Sequence, residues 1–305
     1  MNLRQNGAAL ITAMLVTAIA AIAAAAMASR QHIDIRRTAN VLESEQAGLL
    51  AIGVETWAME ILARDRDNNK TDHLEEDWAT VLPPIPVEGG AVAGSIEDLQ
   101  GRFNINNLVD NNGKISNDDV ERFRRLLQAV GQKPDLVEAV VDWIDKDEQE
   151  TFPGGAEDGT YLGAEVAYRT PNTLMSSPSE LLLVDGFDLD SYTALLPHVI
   201  ALPERTTINV NTASAQVLMA LVQGLTESEA DQLIGDRDYE KVAEFTGHTV
   251  LDQRAPPADA ISVSSNYFVV KGAVQYGKIE LQMISMVNRT DDAKVYPFMR
   301  SQGGY

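Results

Sequence analysis

The chain has 305 residues, 45% of them hydrophobic, and a formal net charge of −21; that is room for two compact units and too polar for a multi-span membrane protein. A balance this negative repels phosphate backbones and speaks against general nucleic-acid binding. With no cysteine, disulfide frameworks, thiol nucleophiles and iron–sulfur centres are excluded, and the isolated His32, His73, His198 and His248 form no HxxxH or HxH pair for a metal.

Met1 to Gly7 reads MNLRQNG, with one cation, Arg4, and Ala8 to Ala28 carries no charge. As a helix this uncharged run is roughly 31 Å long at about 1.5 Å per residue, the thickness of a bilayer core. Arg4 predicts a cytoplasmic start and an external body. Three readings fit the stretch: a secretory signal cut after Ala26-Met27-Ala28, a plain anchor, or a short basic leader ending at Gly7 before a retained helix. Continuity favours the last. No proline occurs between Ser29 and Arg64, and Leu50, Val54, Trp57 and Ile61 recur at helical spacing, which predicts an amphipathic continuation.

The Gly7–Ala8 junction resembles the class III leader of type IV pilins and type II secretion pseudopilins. The resemblance implies cleavage by prepilin peptidase between Gly7 and Ala8, methylation of the new N-terminus and retention of the apolar helix. Most such proteins carry glutamate at the fifth mature position, which here is Thr12. Loss of that glutamate resembles the protein K family of type II secretion.

Pro83, Pro84 and Pro86, followed by Gly89 and Gly90, predict an end to regular structure, with a strand over Val92 to Phe103. Ser116-Asn117-Asp118-Asp119 starts a helix striped by Val120, Phe123, Leu127 and Val130 and closed by Gly131. Pro134 opens another, striped by Val137, Val140, Val141 and Ile144. Ser177-Pro178-Ser179-Glu180 is a capping box ahead of Leu181, Leu182 and Val184, which the pattern buries. Phe103-Asn104-Ile105-Asn106-Asn107 is echoed by Ile208-Asn209-Val210-Asn211-Thr212. The second copy resembles the start of a helix-hairpin-helix, with Thr212 as predicted N-cap and Thr226 capping the partner helix. Its hairpin holds one glycine, Gly224, and Glu227, Glu229 and Asp231 follow where phosphate would sit. That argues for a structural unit and against DNA binding. Ser262 to Gln275, Ile279 to Val287 and Lys294 to Arg300 then read as antiparallel strands turning at Tyr276-Gly277-Lys278.

Between Asp142 and Asp158 lie seven carboxylates in the order DWIDKDEQETFPGGAED. Composition alone allows a solvated acidic loop. Oxygen donors without histidine or cysteine favour calcium, which takes about 6–8 oxygens at about 2.3–2.6 Å. The string Asp110-Asn111-Asn112-Gly113 lacks the first ligand of an EF-hand, since Leu108 falls there, and reads as a tight turn.

The order of elements gives an α+β chain that resembles the protein K family along its whole length: a pilin-like fold, long N-terminal helix plus antiparallel sheet, carrying a large inserted α-domain. The expected divisions are a leader (1–7), a membrane half of the helix (8–28), an amphipathic helix and first pilin-like part (29–103), an inserted α-domain with the acidic segment (104–205), a helix-hairpin-helix-like unit (206–258) and C-terminal strands (259–305). The resemblance implies one or two calcium ions held by Asp142, Asp145, Asp147, Glu150, Glu157 and Asp158, with Glu148 in solvent. It implies a non-enzymatic minor pseudopilin at the pseudopilus tip, single-pass in the bacterial inner membrane with its bulk in the periplasm. Minor pseudopilins I and J are the implied partners, with minor pseudopilin H and the major pseudopilin as further neighbours. Two other readings stand beside it: a type IV pilus minor subunit for adhesion or DNA uptake, and a hydrolase using a carboxylate pair of the acidic segment.

Overall fold

A computed structural model describes residues 5–303, so the first four residues of the expected leader, Arg4 among them, lie outside the described residues. Helix α1 (Gln5–Asn68) leads to strands β1 (Leu82–Val87), β2 (Gly90–Asp98) and β3 (Phe103–Asn104), then to helices α2 (Asn117–Ala129), α3 (Leu136–Ile144), α4 (Asp158–Tyr161) and α5 (Leu189–Leu195). Short strands β4 (Val199–Ile200) and β5 (Ile208–Asn209) precede α6 (Ala215–Leu221), α7 (Glu227–Gly235) and α8 (Val242–Thr246). Strands β6 (Ile261–Ser262), β7 (Tyr267–Tyr276), β8 (Ile279–Arg289) and β9 (Val295–Gln302) follow. One antiparallel sheet runs in the order β1-β2-β7-β8-β9, so the helices between β2 and β7 enter and leave through neighbouring strands. The class is α+β, as expected.

Helix α1 is unbroken for 64 residues, about 96 Å at about 1.5 Å per residue. Its second half lies along the sheet, on a face that only partly matches the expected stripe: Val54 is in the seam, and Trp57 is not. Ala47, Ala51, Val54, Ala58 and Leu62 are the buried positions, whereas Trp57 is 45% exposed and Leu50 and Ile61 only border the contact. The reason is shape. Close approach of a helix to a sheet favours small side chains, so three alanines take part of the seam and bulky Trp57 is left on its flank. Closeness is also visible at Gly94, where an added Cβ would sit 2.9 Å from Val54 Cγ1. Glu55 is buried in this seam, taking two hydrogen bonds from Arg300 of β9 at 2.7 and 2.8 Å and one from Ser285 of β8.

The prolines that predicted a break instead form β1. It is an edge strand, and Pro83 and Pro84 fall in an irregularity between the Leu82 and Ile85 pairs. At an edge, a missing N–H leaves no partner unsatisfied.

Between β2 and β7 a single apolar core extends from Phe103 to Ile261 and holds all of α3, whose nine residues are buried throughout. Gly131 ends the preceding helix with φ +74°, and Gln132 N–H reaches back to Leu127 O at 2.7 Å. The two asparagine repeats are structurally equivalent. β3 pairs parallel with β4, and β5 pairs parallel with β6. In each, the first asparagine accepts from the amide of the second: Asn104 from Asn106, and Asn209 from Asn211. The second asparagine then clamps a distant peptide through both ends of its amide. Asn106 holds Met175 N–H and O, and Asn211 holds Tyr239 N–H and O. Two further expectations are corrected. Ser214, not Thr212, caps α6, because Thr212 is drawn away to donate to Asp98. Leu181 and Val184 are buried, but Leu182 is 43% exposed, since Pro178–Leu183 winds as a tighter 3-10 helix that turns it outward.

Candidate functional site

Full burial of α3 draws the start of the acidic segment into the interior. Asp142 is fully buried and Asp145, which caps the helix through its N–H to Val141 O, is 2% exposed. The chain then turns back through Pro153-Gly154-Gly155, with Gly155 N–H bonded to Thr151 O at 2.7 Å. Both oxygens of Asp142 accept from Thr151 N–H, at 3.1 and 3.0 Å. A Cβ at Gly155 would stand 2.1 Å from Asp142 Oδ2, so only glycine admits the carboxylate there. Glu157 is 4% exposed at the start of α4, with Oε2 accepting from the Thr170 hydroxyl.

Three buried oxygens around this turn have no hydrogen-bond donor: Asp145 Oδ1, Glu157 Oε1 and Asn172 Oδ1. The Asn172 amide has a fixed orientation, since its Nδ2 donates to Asp147 O at 2.9 Å. Burial pushes the Asp145 carboxyl up to about 7, and repulsion from Asp147, Asp142 and Glu157 adds to it. Asp142 and Glu157 are likewise raised, first by burial. Mutually repelling carboxylates beside donor-less buried oxygens are what a hard cation would neutralise.

The other expected ligands sit differently. Asp147, Glu148 and Glu150 are exposed, and Asp147 joins the group through its repulsion of Asp145. Asp158 is engaged by Arg169 at 3.0 Å and by Thr170 N–H at 3.1 Å. Asn172 was invisible to the sequence reading. It lies in Thr170-Pro171-Asn172, outside the acidic run, and a single neutral amide carries no local signal.

Among the described residues, the carboxylates whose oxygens converge most tightly are Asp65, Asp72 and Glu76, all within 4.8 Å. Buried Arg289 already supplies their positive charge, at 2.5 Å from Asp72 and 2.8 Å from Asp65. Glu76 accepts from Trp78 Nε1 and Asn69 Nδ2. This trio is an ion-pair joint, and the oxygens of the acidic segment stand further apart.

Elsewhere the sequence signals resolve into structural features. Asp110 caps a tight turn, accepting from Asn112 and Lys114 N–H with Gly113 at φ +80°. At the hairpin, Gly224 O accepts from Arg254, which also pairs with Glu229 at 2.7 Å. That pair, with the Thr226 capping box, holds the Glu229 carboxyl down at about 2. Thr12 is exposed, and its hydroxyl donates back to Ala8 O and Ala9 O of its own helix.

The architecture therefore defines a class: one helix long and apolar enough to cross a membrane, continuous with an α+β body. Family models described as type II secretion system protein K match residues 101–204 and 208–264. The chain is 36% identical to the type II secretion system protein K of Pseudomonas aeruginosa, covering 98% of this chain and 93% of that one. It is 34% identical to that of Pectobacterium carotovorum, covering 100% and 98%. Among solved structures it is similar to a chain in the crystal structure of the GspK-GspI-GspJ complex from the type 2 secretion system of enterotoxigenic Escherichia coli. That match has a TM-score of 0.79 and 26% identity, over 88% of this chain and 100% of that one. The chain belongs to the type II secretion system protein K family.

Proposed function

We propose that this chain is a non-enzymatic minor pseudopilin at the tip of the type II secretion pseudopilus. In this reading it supports pseudopilus assembly and the export of folded proteins across the outer membrane. The observation that carries it is the unbroken α1, in which a membrane-length apolar run continues into the seam of the folded body. A helix retained in this way is a stalk. Prepilin peptidase would cut between Gly7 and Ala8, the new N-terminus would be methylated, and the body would lie in the periplasm below a single inner-membrane span. Thr12 supports a place at the end of a filament: its hydroxyl is satisfied within its own helix, and it offers no charge to a neighbour's N-terminal ammonium in a low-dielectric core.

The relationship to a GspK solved with GspI and GspJ supports minor pseudopilins I and J as partners, with pseudopilin H and the major pseudopilin adjoining. Deletion of the gene is expected to abolish secretion of type II substrates, with restoration by the full-length chain. Normal secretion in the deletion strain refutes the proposal. Mass spectrometry of the native N-terminus tests the stalk separately, with a methylated chain starting at Ala8 as the expected result.

We propose that the acidic segment binds calcium, with its side chains closing from their wider spacing onto the ion. Asp145, Glu157, Asp142 and Asp147 would hold one ion, with Asn172 Oδ1 as a neutral ligand, and Glu150 and Asp158 stand at the edge for a second. The bound ion would supply the positive charge that relieves their repulsion and pins the 145–158 turn to the Thr170–Asn172 segment. Calcium is expected to raise the melting temperature of the wild-type chain without any turnover of glycans or esters. Asp145→Ala removes the increase. An equal increase in the variant contradicts the assignment.

A further inference from the structure

The side of α1 turned away from the sheet is not evenly polar. Leu49, on that side, is 63% exposed, and Trp57, on the flank that borders the sheet, is 45% exposed. Tryptophan is enriched in protein interfaces, so an open one on a folded body marks a candidate contact. Beside it lies a cleft of about 550 Å³ between α1 and the turn that leads into β1. Trp57 and Ile61 form one wall, Thr80 and Leu82 the other, and the rim is acidic.

The state of each rim charge identifies the ligand chemistry. Asp65 is paired with Arg289 and Glu76 accepts from Trp78 and Asn69, so neither is free for a partner. Glu75 and Asp77 are exposed. The rim's one cation, Arg64, reaches towards Glu60 at 3.7 Å. An indole face bordered by two open carboxylates suits a guanidinium or ammonium group, which gains the ring's negative face together with the charge pairing. A bilayer is a poor candidate, because Trp57 is about 43 Å of helix beyond the uncharged run. Phosphate-bearing ligands meet the wrong sign of charge.

We infer that this cleft docks an arginine or lysine side chain presented by a neighbouring pseudopilin. The inference rests on the pseudopilin reading and gives it a contact point on this chain.

The test uses the full-length chain in detergent with purified minor pseudopilins I and J, and measures binding at low and high salt. Trp57→Ala is expected to weaken the complex at least about tenfold, with Trp57→Phe retaining most of the affinity. Glu75→Gln combined with Asp77→Asn is expected to remove much of the salt dependence while leaving the melting temperature near wild type. Because Trp57 also borders the sheet, this second variant keeps the test valid if Trp57→Ala unfolds. Wild-type binding that no variant changes overturns the docking site and leaves the pseudopilin reading intact. Weakening by Trp57→Ala with unchanged affinity and salt dependence in the double variant overturns the basic ligand. Loss of self-association alone assigns the cleft to a second copy of this chain and overturns the partner. If the wild type binds neither protein, the pseudopilin reading fails and the inference with it.

Discussion

Glu55 shows how one buried charge can be both a cost and an anchor. Burial pushes its carboxyl upward, but Arg300 and Ser285 outweigh that and hold it below the ordinary glutamate value. A carboxylate depressed in the folded state stabilises above its unfolded pKa and loses that contribution as pH falls through the folded one. Glu55→Gln is therefore expected to flatten the fall in urea stability between about pH 5 and pH 3. Arg300→Ala should cost about 1–3 kcal/mol at neutral pH, because it leaves a buried acceptor unpaired. The acidic segment yields a second residue-scale expectation. Gly155→Ala places a Cβ against Asp142 Oδ2, so it should displace that carboxylate and abolish calcium-dependent melting shifts. The acidic run was legible as a cluster because it is one local string, while the ligand set within it came from the family resemblance. Asn172 and Arg289 were not legible, since their meaning depends on groups brought together only by the fold.

Among the elements, α1 was legible in extent and only in part in facing. Apolar size marked Leu50, Val54, Trp57 and Ile61 as the core stripe. Val54 lies in the seam and Leu50 and Ile61 border it, while Ala47, Ala51 and Ala58 take close positions where Trp57 does not fit. The same closeness predicts a coupled pair. Gly94→Val should destabilise by about 1–3 kcal/mol through overpacking against Val54. Adding Val54→Ala should recover part of the loss, and a double-mutant cycle in urea measures the coupling. Wholly additive losses would show that helix and sheet can separate to make room. β1 was misread for a related reason. Proline reports a missing donor, and only the sheet order shows whether a donor is needed at that place.

Across the whole molecule, the α+β class and the late antiparallel strands were readable from period and turn residues. The junction between the sheet and the helical segment was not. Asp98, at the end of β2, accepts from Asn209, Thr212 and Ser265 side chains, and burial pushes its carboxyl up to about 6. Next to it Arg289 joins α1, the Asp72 loop and β8, with its guanidinium 4.7 Å from the Phe268 ring centroid. The sequence hinted at this joint only through the asparagine repeat, whose second copy reaches into it. Arg289→Met should cost about 3–5 kcal/mol, since Asp72 would be left buried without a counter-charge. Loss of a single cooperative unfolding transition in the same variant would show the joint coupling the two parts.

Three of the six residues of β1 are proline, so half of that margin has no amide hydrogen to offer. A strand from another molecule finds no continuous ladder there. Copies of this chain are thus hindered from zipping into a shared sheet along this border, and β-type aggregation finds no start on that side.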